Sequence, residues 1–229
     1  TVGDFKTHIF TADGCFAVSA GGTPSGSNTV DYFVVGGGGS STPGTSGGGG
    51  GGGFRLRSSA PGSTSPLNAP AGLPVSVQTY PITVGGGGAV DANGGNSTFS
   101  TITSAGGGTQ KAAGGFGNDV EGPTSTFNPG GAGNTPPVSP PQGNAGGPGN
   151  RSPNSPINRH GGGGGGAGAA GTAGTASPGT GGGGIGSYIS DPFIGPTAPS
   201  YGTPGPESST RYFSGGGGGV FPAPPGLNV

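Results

Sequence analysis

Hydrophobic and polar positions alternate in short runs through the first hundred residues, the period-two pattern of half-buried strands. Thr7-His8-Ile9-Phe10-Thr11 and Cys15-Phe16-Ala17-Val18-Ser19 flank Ala12-Asp13-Gly14. Asp-Gly between two β-prone runs predicts a hairpin. Thr29-Val30-Asp31-Tyr32-Phe33-Val34-Val35 is the strongest predicted strand, dense in β-branched and aromatic residues. Further strands are expected at 54–57, 75–80, 82–84 and 98–103. The pattern predicts a small antiparallel β-rich region over roughly residues 5–104.

Uninterrupted glycine blocks punctuate this region and then dominate, at 36–39, 47–53, 85–88, 106–108, 161–166, 181–184 and 215–219. Two follow directly on strands, after Val34-Val35 and after Thr83-Val84. Between later blocks run two long proline-rich connectors. One spans 122–149 with Pro136-Pro137 and Pro140-Pro141, and the other spans 187–206 with Tyr188, Phe193 and Tyr201. The division expected is a β-rich region at 1–104, interleaved with glycine blocks, and a glycine/proline-rich bundle at 105–229.

Composition restricts what the blocks can be. The chain has 63 glycines and 25 prolines among 229 residues, against roughly 12% for the pair in average proteins. Glycine costs about 1 kcal/mol and proline about 3 kcal/mol in a helix interior, so an ordinary helical or α/β domain is excluded. Collagen needs glycine strictly at every third position, which consecutive glycines violate. Disorder usually combines high net charge with few apolar residues. Here the net charge is −1, with eleven Phe and five Tyr. The remaining choices are flexible linkers or extended polyglycine segments packed side by side. Such segments have three residues per turn and no internal hydrogen bonds. Without Cβ atoms they can approach closely and pair N–H with C=O laterally. Ordering a residue costs about 1–2 kcal/mol and a hydrogen bond returns about 0.5–1.5 kcal/mol, so only a multi-segment bundle with added dispersion can hold. The fold expected is mainly β plus irregular: a small antiparallel β-rich region with a bundle of polyglycine-II helices and almost no α-helix.

Several functions are poorly served by these residues. The near-neutral charge gives no footprint for nucleic acid or anionic membrane. No run of 18 apolar residues exists for a membrane-spanning helix. The single cysteine, Cys15, forms no internal disulfide framework. The lack of an initiator Met reads as a processed product or an excerpt. The two histidines, His8 on a predicted strand and His160 beside a glycine block, read as structural, and neither lysine (Lys6, Lys111) follows glycine in a phosphate-loop pattern. Asp91-Ala92-Asn93-Gly94-Gly95-Asn96 lacks the closing acidic residue of a calcium loop and reads as an Asx-rich turn. Asn96-Ser97-Thr98 and Asn150-Arg151-Ser152 are sequons for glycosylation. Arg55 and Arg57 alternate with Phe54 and Leu56 and read as the solvated face of a strand. No enzyme activity, cofactor or metal is expected.

The ordered motifs resemble a known family. His8-Ile9-Phe10-Thr11-Ala12-Asp13-Gly14-Cys15-Phe16-Ala17-Val18 is similar to the opening hairpin of glycine-rich phage tail-fibre and adhesin domains. Val30-Asp31-Tyr32-Phe33-Val34-Val35 running into glycines, Gly51-Gly52-Gly53-Phe54-Arg55, Pro81-Ile82-Thr83-Val84-Gly85 and Ser97-Thr98-Phe99-Ser100-Thr101-Ile102-Thr103 resemble its later segments in order. So do Gly202-Thr203-Pro204-Gly205-Pro206 and Arg211-Tyr212-Phe213-Ser214-Gly215. The resemblance implies a β-rich start feeding a layered polyglycine-II bundle, with receptor binding through loops at the bundle tip. Family members often close with a final apolar strand. These residues end at Gly226-Leu227-Asn228-Val229, so the expectation is a truncated chain or a last strand supplied from elsewhere.

The function expected is a non-enzymatic structural and receptor-binding protein of a phage tail fibre, located on a virion tail or otherwise extracellular. Its partner would be a host surface receptor, a saccharide or an outer-membrane protein. Homo-oligomer or fibre assembly is expected, with no nucleic acid and no membrane insertion. The alternative is a subunit of a self-assembling extracellular filament, in which strand edges near 7–10 or 29–35 accept a strand from the next copy. The receptor-binding candidates are Tyr188, Phe193 and Tyr201, with Phe127 in the other long connector. The competing reading has these aromatics covering the bundle or packing on the β region.

Overall fold

The predicted strand at 29–35 breaks at Asp31 into β2 (Thr29–Val30) and β3 (Tyr32–Val35). Asp31 is used outside the ladder: its carboxylate accepts hydrogen bonds from the Ser59 amide at 2.5 Å and the Ser59 hydroxyl at 2.6 Å. The computed structural model of the chain describes residues 5–22, 28–41, 47–62, 64–109, 132–151, 159–175 and 179–220. Short antiparallel sheets joined to polyglycine segments make up the fold, with almost no helix, as the sequence predicts.

β3 pairs with β4 (Phe54–Arg57) as an antiparallel ribbon, Tyr32 opposite Arg57 and Val35 opposite Phe54. Both faces of the ribbon are covered, which explains why β3 reads as a continuous apolar run. Tyr32 and Val34 join Leu73, Val30, Phe99 and Ile102 in one cluster. From the other face, Phe33, Phe54 and Leu56 join Ile189, Ile194 and Ala198 in a second cluster. β2 pairs with β5 (Leu73–Pro74) at the ribbon's end.

The first cluster lies under a four-stranded sheet of order β1 (Gly14–Ala17), β6 (Thr79–Thr83), β7 (Ser97–Phe99), β8 (Ile102–Ser104). β1 does not form the hairpin predicted with 7–11. It pairs with β6, Phe16 opposite Tyr80, and the Asp13 carboxylate accepts from the Val84 amide at 2.8 Å. Phe16 meets Tyr80 and Phe99 on the same face, ring centroids 6.5 and 5.7 Å apart. Residues 7–11 form no strand and instead cross beside the sheet, where Thr7 Oγ1 donates to the Phe193 carbonyl at 3.2 Å. Two aromatic contacts from Phe16 to β6 and β7 outweigh one local Asp-Gly turn. The expected strand at 75–80 starts only at Thr79, because the Ser76 amide and the Gln78 amide group both turn inward onto the Tyr80 hydroxyl, each at 2.8 Å. The run 98–103 folds on itself as the β7–β8 hairpin, with Ser100 at φ 53° in its two-residue turn.

The second cluster is closed by a three-stranded sheet in the later half of the chain, order β11 (Ser187–Ser190), β13 (Thr210–Phe213), β12 (Thr203–Pro204). Between β11 and β12 lie a single helical turn, α1 (Asp191–Ile194), and a 3-10 turn at Ala198–Ser200. A two-stranded pair, β9 (Asn150–Arg151) and β10 (Arg159–His160), stands apart from these sheets.

The glycine blocks form one hydrogen-bonded lattice with a period of three. Gly161, Gly164 and Ala167 donate to Val220, Gly217 and Ser214, stepping three forward on one segment and three back on the other. Gly163 and Gly166 donate to Thr172 and Ala169. Gly48 and Gly51 donate to Gly162 and Gly165, and Gly181 and Gly184 donate to Gly161 and Gly164, so these neighbours run parallel. Gly147 and Asn144 donate to Gly163 and Gly166. Residues 161–166 thus have hydrogen-bonded segments on five sides and are buried throughout. Three residues per turn is the polyglycine-II repeat. The bonds from 47–53 to 161–166 cross the expected boundary at 104/105.

Absent side chains are what let the segments approach. A Cβ on Gly164 would land on the Gly49 carbonyl oxygen, and one on Gly52 on the Gly36 carbonyl, both closer than real Cβ atoms come to any neighbour. Where the lattice meets the sheets, the side chain of Gln142 substitutes for a glycine segment. Its Oε1 accepts from the Ala105 amide at 2.9 Å and its Nε2 donates to the Pro136 carbonyl at 2.8 Å, while its backbone carbonyl accepts from the Phe54 amide at 2.8 Å.

Candidate functional site

The bundle has two unlike ends. β3, β8 and β13 run directly into glycine segments at Gly36, Ala105 and Ser214, and β4, β7 and β11 leave segments at Gly53, Asn96 and Gly186. Lateral bonds tie these junctions together: Gly36 to Gly53, Gly53 to Ala105, and Ala167 to Ser214. The opposite ends of the segments are tied to each other through Ser40 and Ala92, Gly48 and Gly162, Gly174 and Pro148, and Gly161 and Val220. One end therefore carries the sheets, and the other carries the turn at 89–92 and the β9–β10 pair.

Tyr188, Phe193 and Tyr201 all lie at the sheet end, on or beside the three-stranded sheet. Alternation along β11 sends Ile189 into the second cluster, where it is 2% exposed, and Tyr188 to the opposite, outer face. Tyr188 stands directly across from Tyr212 of β13, and Tyr212 across from Thr203 of β12. Paired residues share a face, so Tyr188, Tyr212 and Thr203 form an outer row. The two rings lie 5.3 Å apart at 41°. Both are half-buried, and Thr203 is exposed.

The row is held from both sides. The Tyr188 hydroxyl donates to the Thr64 carbonyl at 3.2 Å. Beneath it, the Ser65 and Ser187 hydroxyls hydrogen-bond at 2.8 Å and are buried. Gly205 backs the Tyr212 ring so closely that a Cβ there would overlap ring carbons. Burial, then the negative charge of Glu207 and the neighbouring Tyr212, push the Tyr188 phenol above its ordinary ionisation range. Arg211, the cation on β13, alternates to the inner face, where its Nε lies 3.4 Å from the Asp191 carboxylate.

Phe193 and Tyr201 take a different position. Both pack, half-buried, against the cluster of Phe54, Leu56, Ile189, Ile194 and Ala198. The structure does not bring them into the outer row with Tyr188. Phe127 lies outside the described residues. Tyr212 and Thr203 complete the row, with Glu207 in the turn beside it, and none of the three was among the sequence candidates. The sequence signal for Tyr212 is the period-two alternation within Thr210-Arg211-Tyr212-Phe213, which puts it opposite in facing to Arg211 and Phe213.

The remaining sequence candidates serve the framework. His8 stacks edge-on against Phe16 with centroids 5.4 Å apart, and His160 is buried at the head of the central glycine segment. In the Asx-rich turn, Asn93 Oδ1 accepts from the Thr109 amide at 2.8 Å and Asn96 Oδ1 from the Gly106 amide at 2.9 Å. Arg57 is half-buried rather than solvated, with its Nε 3.9 Å from the Asp31 carboxylate.

A family model described as a glycine-rich domain matches residues 15–227. No curated protein and no solved structure matches the chain. With that match spanning both the sheets and the lattice, the chain belongs to the glycine-rich domain family.

Proposed function

We propose that this chain is a non-enzymatic structural and receptor-binding domain of a phage tail fibre, acting on the virion tail as an adhesin for a host surface saccharide or outer-membrane protein, within an oligomeric or fibre assembly. The motif order shared with tail-fibre and adhesin domains supports this reading. So does the combination of a stiff scaffold with displayed aromatics: lateral hydrogen bonds brace the described glycine segments against one another. The observation that carries it is the Tyr188–Tyr212 pair, two rings fixed side by side on an outer sheet face. Pre-fixed aromatics lose little entropy on binding, which suits them to recognition.

Gold-labelled antibody against the chain, imaged by electron microscopy on the native assembly, tests the reading. Label at the tips of virion tails is the expected result. Label along continuous helical fibres would replace it with the extracellular-filament reading.

A further inference from the structure

We infer that the Tyr188–Tyr212–Thr203 row binds a pyranose ring that carries no negative charge, a neutral or amino sugar, and rejects acidic sugars. The inference rests on the receptor-binding reading above and names the ligand class for that site. Sugar rings present a face of C–H bonds that stacks on aromatic faces and a rim of hydroxyls that needs hydrogen-bond partners. The outer row supplies both kinds of surface. The two rings, tilted by 41° with centroids 5.3 Å apart, give adjoining stacking planes. The exposed Thr203 hydroxyl and the phenol oxygens lie along the same row.

Charge then selects among sugars. Glu207 is exposed in the turn between β12 and β13, and its charge acts on the Tyr188 phenol. Among the described residues no ion pair is formed with Glu207, and Arg211, the cation on β13, points to the inner face and is held by Asp191. A carboxylate or phosphate on the sugar would meet a like charge, whereas an ammonium would meet an opposite one. Pinning of Tyr188 by Thr64, and of Tyr212 by Gly205, means that neither ring must be ordered on binding.

The chain has no Trp and five Tyr, so tyrosine emission reports directly on ring stacking. Methyl glucoside, methyl glucosaminide and methyl glucuronide are titrated into the full chain, and adsorption of the chain to host cells is measured separately. The neutral and amino sugars are expected to change the emission saturably, with the glucuronide about tenfold weaker or worse. Glu207→Gln, at an exposed position, is expected to bring the glucuronide to within about threefold of the glucoside. Tyr212→Ala is expected to weaken the glucoside about tenfold or more, and Tyr212→Phe to keep most of the binding, which separates ring loss from misfolding. Equal binding of the glucuronide by the unaltered chain, or no response to any of the three, overturns the inference. Host-cell adsorption that persists while no pyranoside binds leaves the receptor-binding reading standing and removes only this one. Pyranoside binding with no adsorption does the reverse.

Discussion

The Gly164 amide donates to the Gly217 carbonyl at 2.8 Å, and the Cβ that Gly164 lacks would fall on the carbonyl oxygen of Gly49. One residue thus bonds to one neighbouring segment and leaves room for another. Gly164→Ala cannot relax by turning a rotamer, because what it meets is backbone. We expect a loss of about 3 kcal/mol or more, or failure to fold. Gly86 is the control, since nothing lies within 4 Å of its would-be Cβ. Gly86→Ala is expected to leave stability unchanged or to raise it by about 0.4–1 kcal/mol through the unfolded chain. Thermal unfolding of the two variants side by side checks both. Equal melting temperatures would contradict close packing.

Gln142 is expected to matter more than any other polar side chain outside the glycine segments. It is 3% exposed and satisfies the Ala105 amide and the Pro136 carbonyl at once. Gln142→Ala leaves the half-buried Ala105 amide and the Pro136 carbonyl without those partners, at a cost of roughly 1–3 kcal/mol. Gln142→Glu keeps the acceptor but loses the donor, so it is expected to fall between the two. Denaturant unfolding of the three proteins gives the order.

The lattice was legible because consecutive glycines leave few ordered alternatives, and strand-then-glycine junctions such as Val35-Gly36 mark where a sheet feeds a segment. The strand at 54–57 was legible for the same reason that its Phe54 and Leu56 are buried, namely strict alternation. What could not be read were partners distant in sequence. Asp13-Gly14 promised a local hairpin, but the aromatic faces of Tyr80 and Phe99 recruit Phe16 from the other side. Tyr188 stands out in the sequence as one of several aromatics in a proline-rich connector. Its companion Tyr212 emerges only from the β11–β13 register, which pairs two residues 24 positions apart in the chain. Gln142 gave no signal, since its role is to stand in for a glycine segment.

Two tyrosines are expected to titrate in opposite senses. Hydrogen bonds from the Ser76 hydroxyl, then the Ser76 amide, with the Gln78 amide group, favour the Tyr80 phenolate and lower its ionisation below the ordinary value of 10.0. Its contribution to stability is therefore fully present above the unfolded value and lost as pH falls through the lower folded value. Tyr188 is raised above 10.0 by burial, Glu207 and Tyr212, so its contribution is present below the unfolded value and lost as pH rises through the folded one. Between about pH 8 and pH 11, the stability gap between the unaltered chain and Tyr80→Phe is expected to widen, and that for Tyr188→Phe to narrow. Urea unfolding across that range decides the signs.

Hydrogen exchange of the glycine amides at 161–166 tests the lattice most directly. These amides are buried, and Gly161, Gly163, Gly164 and Gly166 each donate to a neighbouring segment. Residue-resolved exchange by NMR is expected to find those four amides protected to the level of the strand amides of β3 and β4. Exchange at the rate of an unstructured glycine peptide, with β3 and β4 still protected, would contradict the account and reduce the blocks to linkers between small sheets.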